Sequence, residues 1–145
     1  MDTAIPIKII HIPQQGCHIM CELMMADYKI NMLIDTGASL TVLDLKRYKK
    51  IFPHHELSPY ENAFRGITSH AVESYTGLVD LLSFGQIRLK NKKFLLVDLS
   101  SINQAYAHYD LQRIDGVLGG DLLLSMRAII DYAARKILLS SDHLF

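Results

Sequence analysis

The stretch Asp35-Thr36-Gly37-Ala38-Ser39 sets a carboxylate, two hydroxyls and two very small residues directly after the apolar run Met32-Leu33-Ile34. Leu40, Val42 and Leu43 then resume the hydrophobic pattern. An acid between two such runs is expected to be shielded from water, and no Lys or Arg lies near it in sequence to neutralise it. Its charge must be handled by something other than a neighbouring cation. Gly37 opens backbone conformations closed to other residues and lets a ligand or another backbone come into contact. Thr36 offers a hydroxyl to hold the loop while its methyl packs, and Ala38 is small where bulk would obstruct. The chemistry open to a carboxylate so placed is proton transfer at a closely approached ligand.

A second informative stretch is "IDGVLGGDLLLSMRAIIDY", in which Val117 and Leu118 precede Gly119 and a helix start follows at Gly120 or Asp121. Taken alone it is an ordinary strand-to-helix turn. Combined with the upstream Asp-Thr-Gly it becomes specific. Together the two stretches resemble the retropepsin-like aspartic peptidases, a single-lobed family. Asp35-Thr36-Gly37-Ala38-Ser39 is similar to the family's active-site loop. Val117-Leu118-Gly119, with Asp121-Leu122-Leu123 after it, resembles the segment that threads beside that loop, and "AIIDYAARKILL" resembles the closing hairpin. The likeness runs from about Ile5 to Leu139.

The resemblance implies a closed β-barrel-like fold in which two subunits each give one aspartate. Chemistry asks for the same pairing. Water attacks an amide poorly, so one carboxylate must take its proton while a second, protonated one assists the carbonyl oxygen. Two carboxylates about 3 Å apart cannot both ionise cheaply and share one proton, the aspartic-protease dyad being the type case. This chain has one Asp-Thr-Gly loop. Asp115 and Asp121 are the only candidates near Val117-Leu118-Gly119, and Asp121 reads as a helix cap. The partner is therefore expected to be Asp35 of a second copy, making a homodimer that acts on a peptide or protein substrate and needs no cofactor or metal.

Two departures from the family pattern stand out. Ala38 lacks the hydroxyl with which two-lobed enzymes stabilise the ionised aspartate. Ser39 and Gly120 occupy the places where retroviral enzymes often carry an Asp and an Arg, and since both are missing together no charge is left widowed. The family's flap is matched by "NAFRGITSHAVES", with Gly66 near the tip and Ile67 for apolar contact; an ordinary β-turn is the competing reading. The resemblance also places the N-terminal "IPIKIIHI" and the C-terminal "KILLSSDHLF" at the subunit interface.

The elements that must position these residues are mostly strands. "IPIKIIHI", "CHIMCELMMA", "YKINMLID", "SLTVLD", "AVESYTGLVDLL", "QIRLKN", "KFLLVDL", "AIIDY" and "KILLS" are short, alternating or β-branched, and separated by turn residues. Tight turns are expected at "QQG", "MADYK", "LKNKKF" and "DYAARKI". Helices are expected from an Asp44 cap through "DLKRYKKIF" and from an Asp121 cap through "GGDLLLSM", while "SINQAYAHYDL" could be a helix or an ordered loop. The expected fold class is mostly β: one retropepsin-like closed barrel over residues 1–145 with one to three short helices.

Composition narrows the alternatives. The 145 residues are half hydrophobic, enough for one core that buries about two thirds of the unfolded surface. Fifteen basic and fifteen acidic residues balance, so no overall field recruits nucleic acid, and Lys46, Arg47, Lys49 and Lys50 read as the solvated face of a helix. There is no run long enough for a membrane span and no signal-like start, so a soluble, cytoplasmic chain is expected, with a removed leader left open. Cys17 and Cys21 read as two buried thiols on one strand face, with His18 on the other face, too few ligands for zinc. His54, His55 and His70 read as surface residues. Beside an aspartic endopeptidase, the remaining reading is a catalytically silent retropepsin-like module that binds peptides or only dimerises.

Overall fold

The computed structural model describes residues 2–60 and 73–142. Three antiparallel strands open the chain: β1 (Asp2–Ile12), β2 (Gly16–Met25) and β3 (Tyr28–Ile34). Along β1 the side chains of Ile5 and Ile7 are buried between exposed neighbours, as the period-two pattern requires of a half-buried strand, and Ile12, of the opposite parity, is buried on the other face. The turns fall at the expected places, with Gln14 and Ala26 in the left-handed region.

After β3 the chain passes the Asp35 loop into β4 (Val42–Asp44) and helix α1 (Leu45–Ile51), then the two-residue β5 (Ser58–Pro59). A long hairpin follows, β6 (Ser74–Phe84) and β7 (Ile87–Val97), turning at Gly85. Next come α2 (Ser100–His108), β8 (Gly116–Leu118), α3 (Gly120–Ser125) and a final hairpin of β9 (Ile129–Asp131) and β10 (Lys136–Ser140). The stretch that could have been helix or loop is thus a helix. "LKNKKF" is not a turn: β7 runs through it unbroken in register, with Asn91 taking a left-handed conformation inside the strand. Asn tolerates that conformation through local hydrogen bonding, so the residue that signals a turn can equally mark a kink in a strand.

Strands β6, β7, β4, β8, β3 and β2 pair in that order, and β2 pairs back to β6 through Met24 with Ser83 and Met25 with Leu82. The result is a closed six-stranded barrel. Its interior is filled by fully buried side chains including Met32, Leu43, Tyr48, Leu82, Phe84 and Leu118. A second apolar cluster, made by Ile12, Met20, Leu99, Tyr106, Ile114 and Val117, seats α2 on the outside. The two terminal segments expected at a subunit interface pair with each other within the chain, Asp2–Pro6 of β1 running antiparallel to Lys136–Ser140 of β10. That leaves β9, with Ile129 largely exposed, at the sheet edge. Among the described residues no helix is long and apolar enough to cross a membrane.

Two buried acids lock the barrel beneath the loop. Asp44 caps α1 as expected, its Oδ2 accepting from Arg47 N at 3.0 Å, and its Oδ1 also accepts from Leu99 N at 3.0 Å. Asp115 accepts from Asn31 N at 2.8 Å and lies 3.6 Å from both Arg47 Nε and Arg113 Nε. Lys46, Lys49 and Lys50 are exposed, whereas Arg47 folds inward to this cluster. Asp44→Ala is expected to lower stability by about 3 kcal/mol, because it removes a cap and strands the buried Leu99 N–H. Urea unfolding measures this, and a change within 0.5 kcal/mol or so would mean that water replaces the carboxylate.

Candidate active site

Three strands frame the Asp35 loop. β8 lies between β3, to which it is parallel with Ile34 beside Leu118, and β4, to which it is antiparallel with Val42 beside Val117. Val117, Leu118 and Gly119 thus run between the strand that delivers Asp35 and the strand that leaves the loop. The backbone joins them: Asp35 N donates to Leu118 O at 3.0 Å, Gly120 N to Ala38 O at 2.7 Å, and Asp121 N to Ser39 O at 3.2 Å. Within the loop, Ala38 N donates to Asp35 O at 3.2 Å and Gly37 N to Asp35 Oδ1 at 2.9 Å. The latter bond holds one carboxylate oxygen in place.

The hydroxyl that holds the loop is Thr41, not Thr36. Thr41 is buried; its Oγ1 accepts from Gly119 N at 3.0 Å and donates to Asp121 Oδ1 at 2.7 Å. The same Asp121 oxygen accepts from Thr41 N at 2.9 Å and from Leu122 N at 2.8 Å. Asp121 therefore does not cap α3, whose N-cap is Gly119; it sits in the first turn and ties β4 to the helix. Thr36 is exposed, and among the described residues its hydroxyl makes no hydrogen bond. The only sequence signal for Thr41 was a hydroxyl residue between two apolar ones, which does not single out a loop tie.

Asp35 itself is exposed on this chain rather than shielded, because the apolar runs on either side enter the barrel while the loop stays at its rim. Among the described residues no basic side chain pairs with it. Of the acids flanking Val117-Leu118-Gly119, Asp115 is held by Asn31, Arg47 and Arg113, and Asp121 by Thr41. Asp35 and Thr36 line a cleft of about 470 Å³ with Cys17, His18, Ile19, Leu33, Ile34, Ile130 and Tyr132. Within the loop Ala38 is half-buried and Ser39 is exposed.

A family model described as aspartyl protease matches residues 21–122, a span that holds both the Asp35 loop and Val117-Leu118-Gly119. The chain belongs to the aspartyl protease family. A search among curated proteins finds no match. Among solved structures, this aspartyl protease chain is similar to a retropepsin-like aspartic protease from Rickettsia conorii at 18% identity and a TM-score of 0.55, covering 96% of this chain and 92% of that one. It is also similar to EIAV protease complexed with the inhibitor HBY-793, at 17% identity and a TM-score of 0.55, with 84% of this chain and 99% of that one covered. A third is the retroviral protease-like domain of Ddi1 from Leishmania major, at 12% identity and a TM-score of 0.50, covering 86% and 96%. At these identities the likeness establishes the fold, which is retropepsin-like.

Other residues singled out in the sequence fall differently. Gly66, Ile67 and His70 lie outside the described residues. Cys17 is exposed at the cleft, contrary to the expectation of two buried thiols, because it stands at the start of β2 near the barrel rim. Burial pushes the Cys21 thiol up to about 12, so it remains protonated and unreactive. His54 is exposed, but His55 packs inward: it stacks on Phe52 with centroids 4.5 Å apart, and its Nδ1 lies 3.2 Å from both Tyr48 Oη and Leu78 O.

Proposed function

We propose that this aspartyl protease chain is an endopeptidase that works as a homodimer, with one Asp35 from each copy forming the catalytic dyad. The observation that carries this is a single exposed Asp35 at a cleft mouth, while the nearby Asp115 and Asp121 are already committed to structural partners. A second copy supplies the missing carboxylate across a two-fold axis. One Asp35 takes a proton from water, and its protonated mate donates to the carbonyl oxygen of the scissile amide; the proton then passes to the leaving amine as the tetrahedral intermediate collapses. Gly37 fixes one Asp35 oxygen through its N–H, Ala38 and Ser39 carry the carbonyls that hold the loop to the β8–α3 junction, and Thr36 stands exposed beside Asp35 in the cleft lining.

An extended peptide lies between the subunits, its backbone hydrogen-bonded and its alternate side chains in pockets. The residues proposed to cover it, Gly66 and Ile67, belong to a segment whose two flanks are held side by side: Ser58 pairs with Thr76, Pro59 with Tyr75, and Tyr60 N donates to Ser74 O at 2.8 Å. A chain that leaves and returns at one place suits a flap.

The test is cleavage of a mixed peptide library by the purified chain over a range of concentrations, beside its mass in solution. Activity per subunit is expected to fall on dilution, since dissociation takes half of every dyad away. Excess Asp35→Asn chains should poison the wild type through heterodimers with one carboxylate. Specific activity that stays constant through a demonstrated dimer-to-monomer transition would reject the shared site, and tight peptide binding with no cleavage would support the silent module instead.

A further inference from the structure

His18 forms a wall shared by two depressions. On one side is the Asp35 cleft; on the other is a groove of about 320 Å³ along α2, lined by Ile12, Ile102, Tyr106 and Tyr109 among others. Tyr106 lines the groove and not the cleft, and its Oη lies 2.6 Å from His18 Nδ1. The ring is thereby anchored from the α2 side. Tyr106 is buried, and burial pushes its phenol up, so the hydroxyl keeps its proton. Among the described residues that proton has no acceptor other than Nδ1, and donating to it goes with the neutral tautomer that carries hydrogen on Nε2. In that tautomer His18 presents an N–H donor, and among the described residues Nε2 has no partner.

We propose that His18, a selectivity residue positioned by Tyr106, takes a substrate side chain ending in an amide, asparagine or glutamine, within the Asp35 cleft. The inference rests on the peptidase reading above. His18, Leu33, Ile34 and Ile130 all line that cleft, so the three apolar residues suit the methylenes of such a side chain and the His18 N–H calls for an acceptor. An apolar side chain leaves the Nε2–H without a partner once water is expelled. A lysine brings no acceptor. A carboxylate brings one but meets Asp35, which lines the same cleft with Cys17 and Tyr132 as the other titratable groups there. Among amide, apolar, cationic and anionic side chains, the amide carbonyl alone satisfies the donor without adding charge.

The experiment uses peptides that differ at one position near the scissile bond, carrying Gln, Leu, Glu or Lys, with each position scanned in turn. At one position the wild type is expected to favour Gln over Leu by about tenfold in kcat/KM, as a site built around a hydrogen bond does. His18→Leu should bring that ratio close to one. Tyr106→Phe should reduce it by about twofold, because the ring then samples both tautomers, and should shift the imidazole nitrogen NMR signals toward Nδ1–H. Binding of the same peptides to Asp35→Asn separates this inference from the proposed activity. If the wild type cleaves nothing but Asp35→Asn prefers Gln peptides and loses that preference with His18→Leu, selection by His18 stands and turnover falls. Equal or absent binding of Gln and Leu peptides, or a preference that survives His18→Leu, overturns it. If His18→Leu does not fold, an unchanged preference and unchanged nitrogen signals in Tyr106→Phe overturn it equally.

Discussion

Asp35→Asn is expected to lose peptide cleavage by about 10⁴-fold, the scale of a lost general acid–base pair, while the chain stays folded. The two effects separate because of how Asp35 is held. Its backbone bonds, to Leu118 O and from Ala38 N, do not involve the side chain. The one side-chain bond within the loop, from Gly37 N to Oδ1, can be made as well by the amide oxygen of asparagine. The side chain is exposed and buries no core surface, so the stability change should stay within about 0.5 kcal/mol. What is lost is the ability to exchange a proton with water, which an amide cannot do near neutrality. In a dimer the substitution also removes repulsion between two facing acids, so the variant should associate at least as tightly as the wild type. Turnover on the peptide library and sedimentation of the same preparations measure both. A variant that cleaves at the wild-type rate would remove Asp35 from the chemistry, and one that unfolds would make the loop, rather than the acid, the thing tested.

The sequence announced the site's strands better than the side chains that brace it. The Asp35 loop and Val117-Leu118-Gly119 were legible because each couples a β-type apolar run to small residues, and small residues mark where backbones approach. The α1 start was legible for a local reason, since Asp44 bonds a backbone N–H three residues on. Its second bond, to Leu99 N, was not, because nothing local relates positions 44 and 99. Thr41 and Asp121 are hidden in the same way: their pairing exists only once β4 and β8 are neighbours. The false turn at Asn91 shows the opposite failure, a correct local conformation with the wrong global meaning. His18 and Tyr106, far apart in the chain, carry no pattern at all until α2 is laid against β2.

Gly119→Ala is expected to destabilise the chain by about 3 kcal/mol, at the upper end of ordinary overpacking. Backbone freedom is not the reason for a glycine here: Gly119 has φ −105° and ψ −178°, extended values that any residue adopts. Space is the reason. A Cβ at this position would lie 2.7 Å from both the carbonyl carbon and the oxygen of Leu40 and 2.9 Å from Ala38 O. All three are backbone atoms, so no change of rotamer relieves the clash. The end of β8 must move away from the loop, and that displacement strains the bonds from Gly119 N to Thr41 Oγ1 and from Gly120 N to Ala38 O together. Gly37→Ala makes the informative contrast. Its Cβ would meet only the Oδ1 of Asp35, at 3.3 Å, and that is a side chain able to turn aside. The Gly37 variant should therefore unfold within about 1 kcal/mol of the wild type yet lose activity, because the carboxylate it displaces is the proposed catalytic one. The Gly119 variant should shift the urea midpoint first and lose activity as a consequence of the misplaced loop. Equal midpoints for wild type and Gly119→Ala would show that the β8 end has room to give, and the close threading of β8 past Ala38 and Leu40 would then not be what fixes the Asp35 loop.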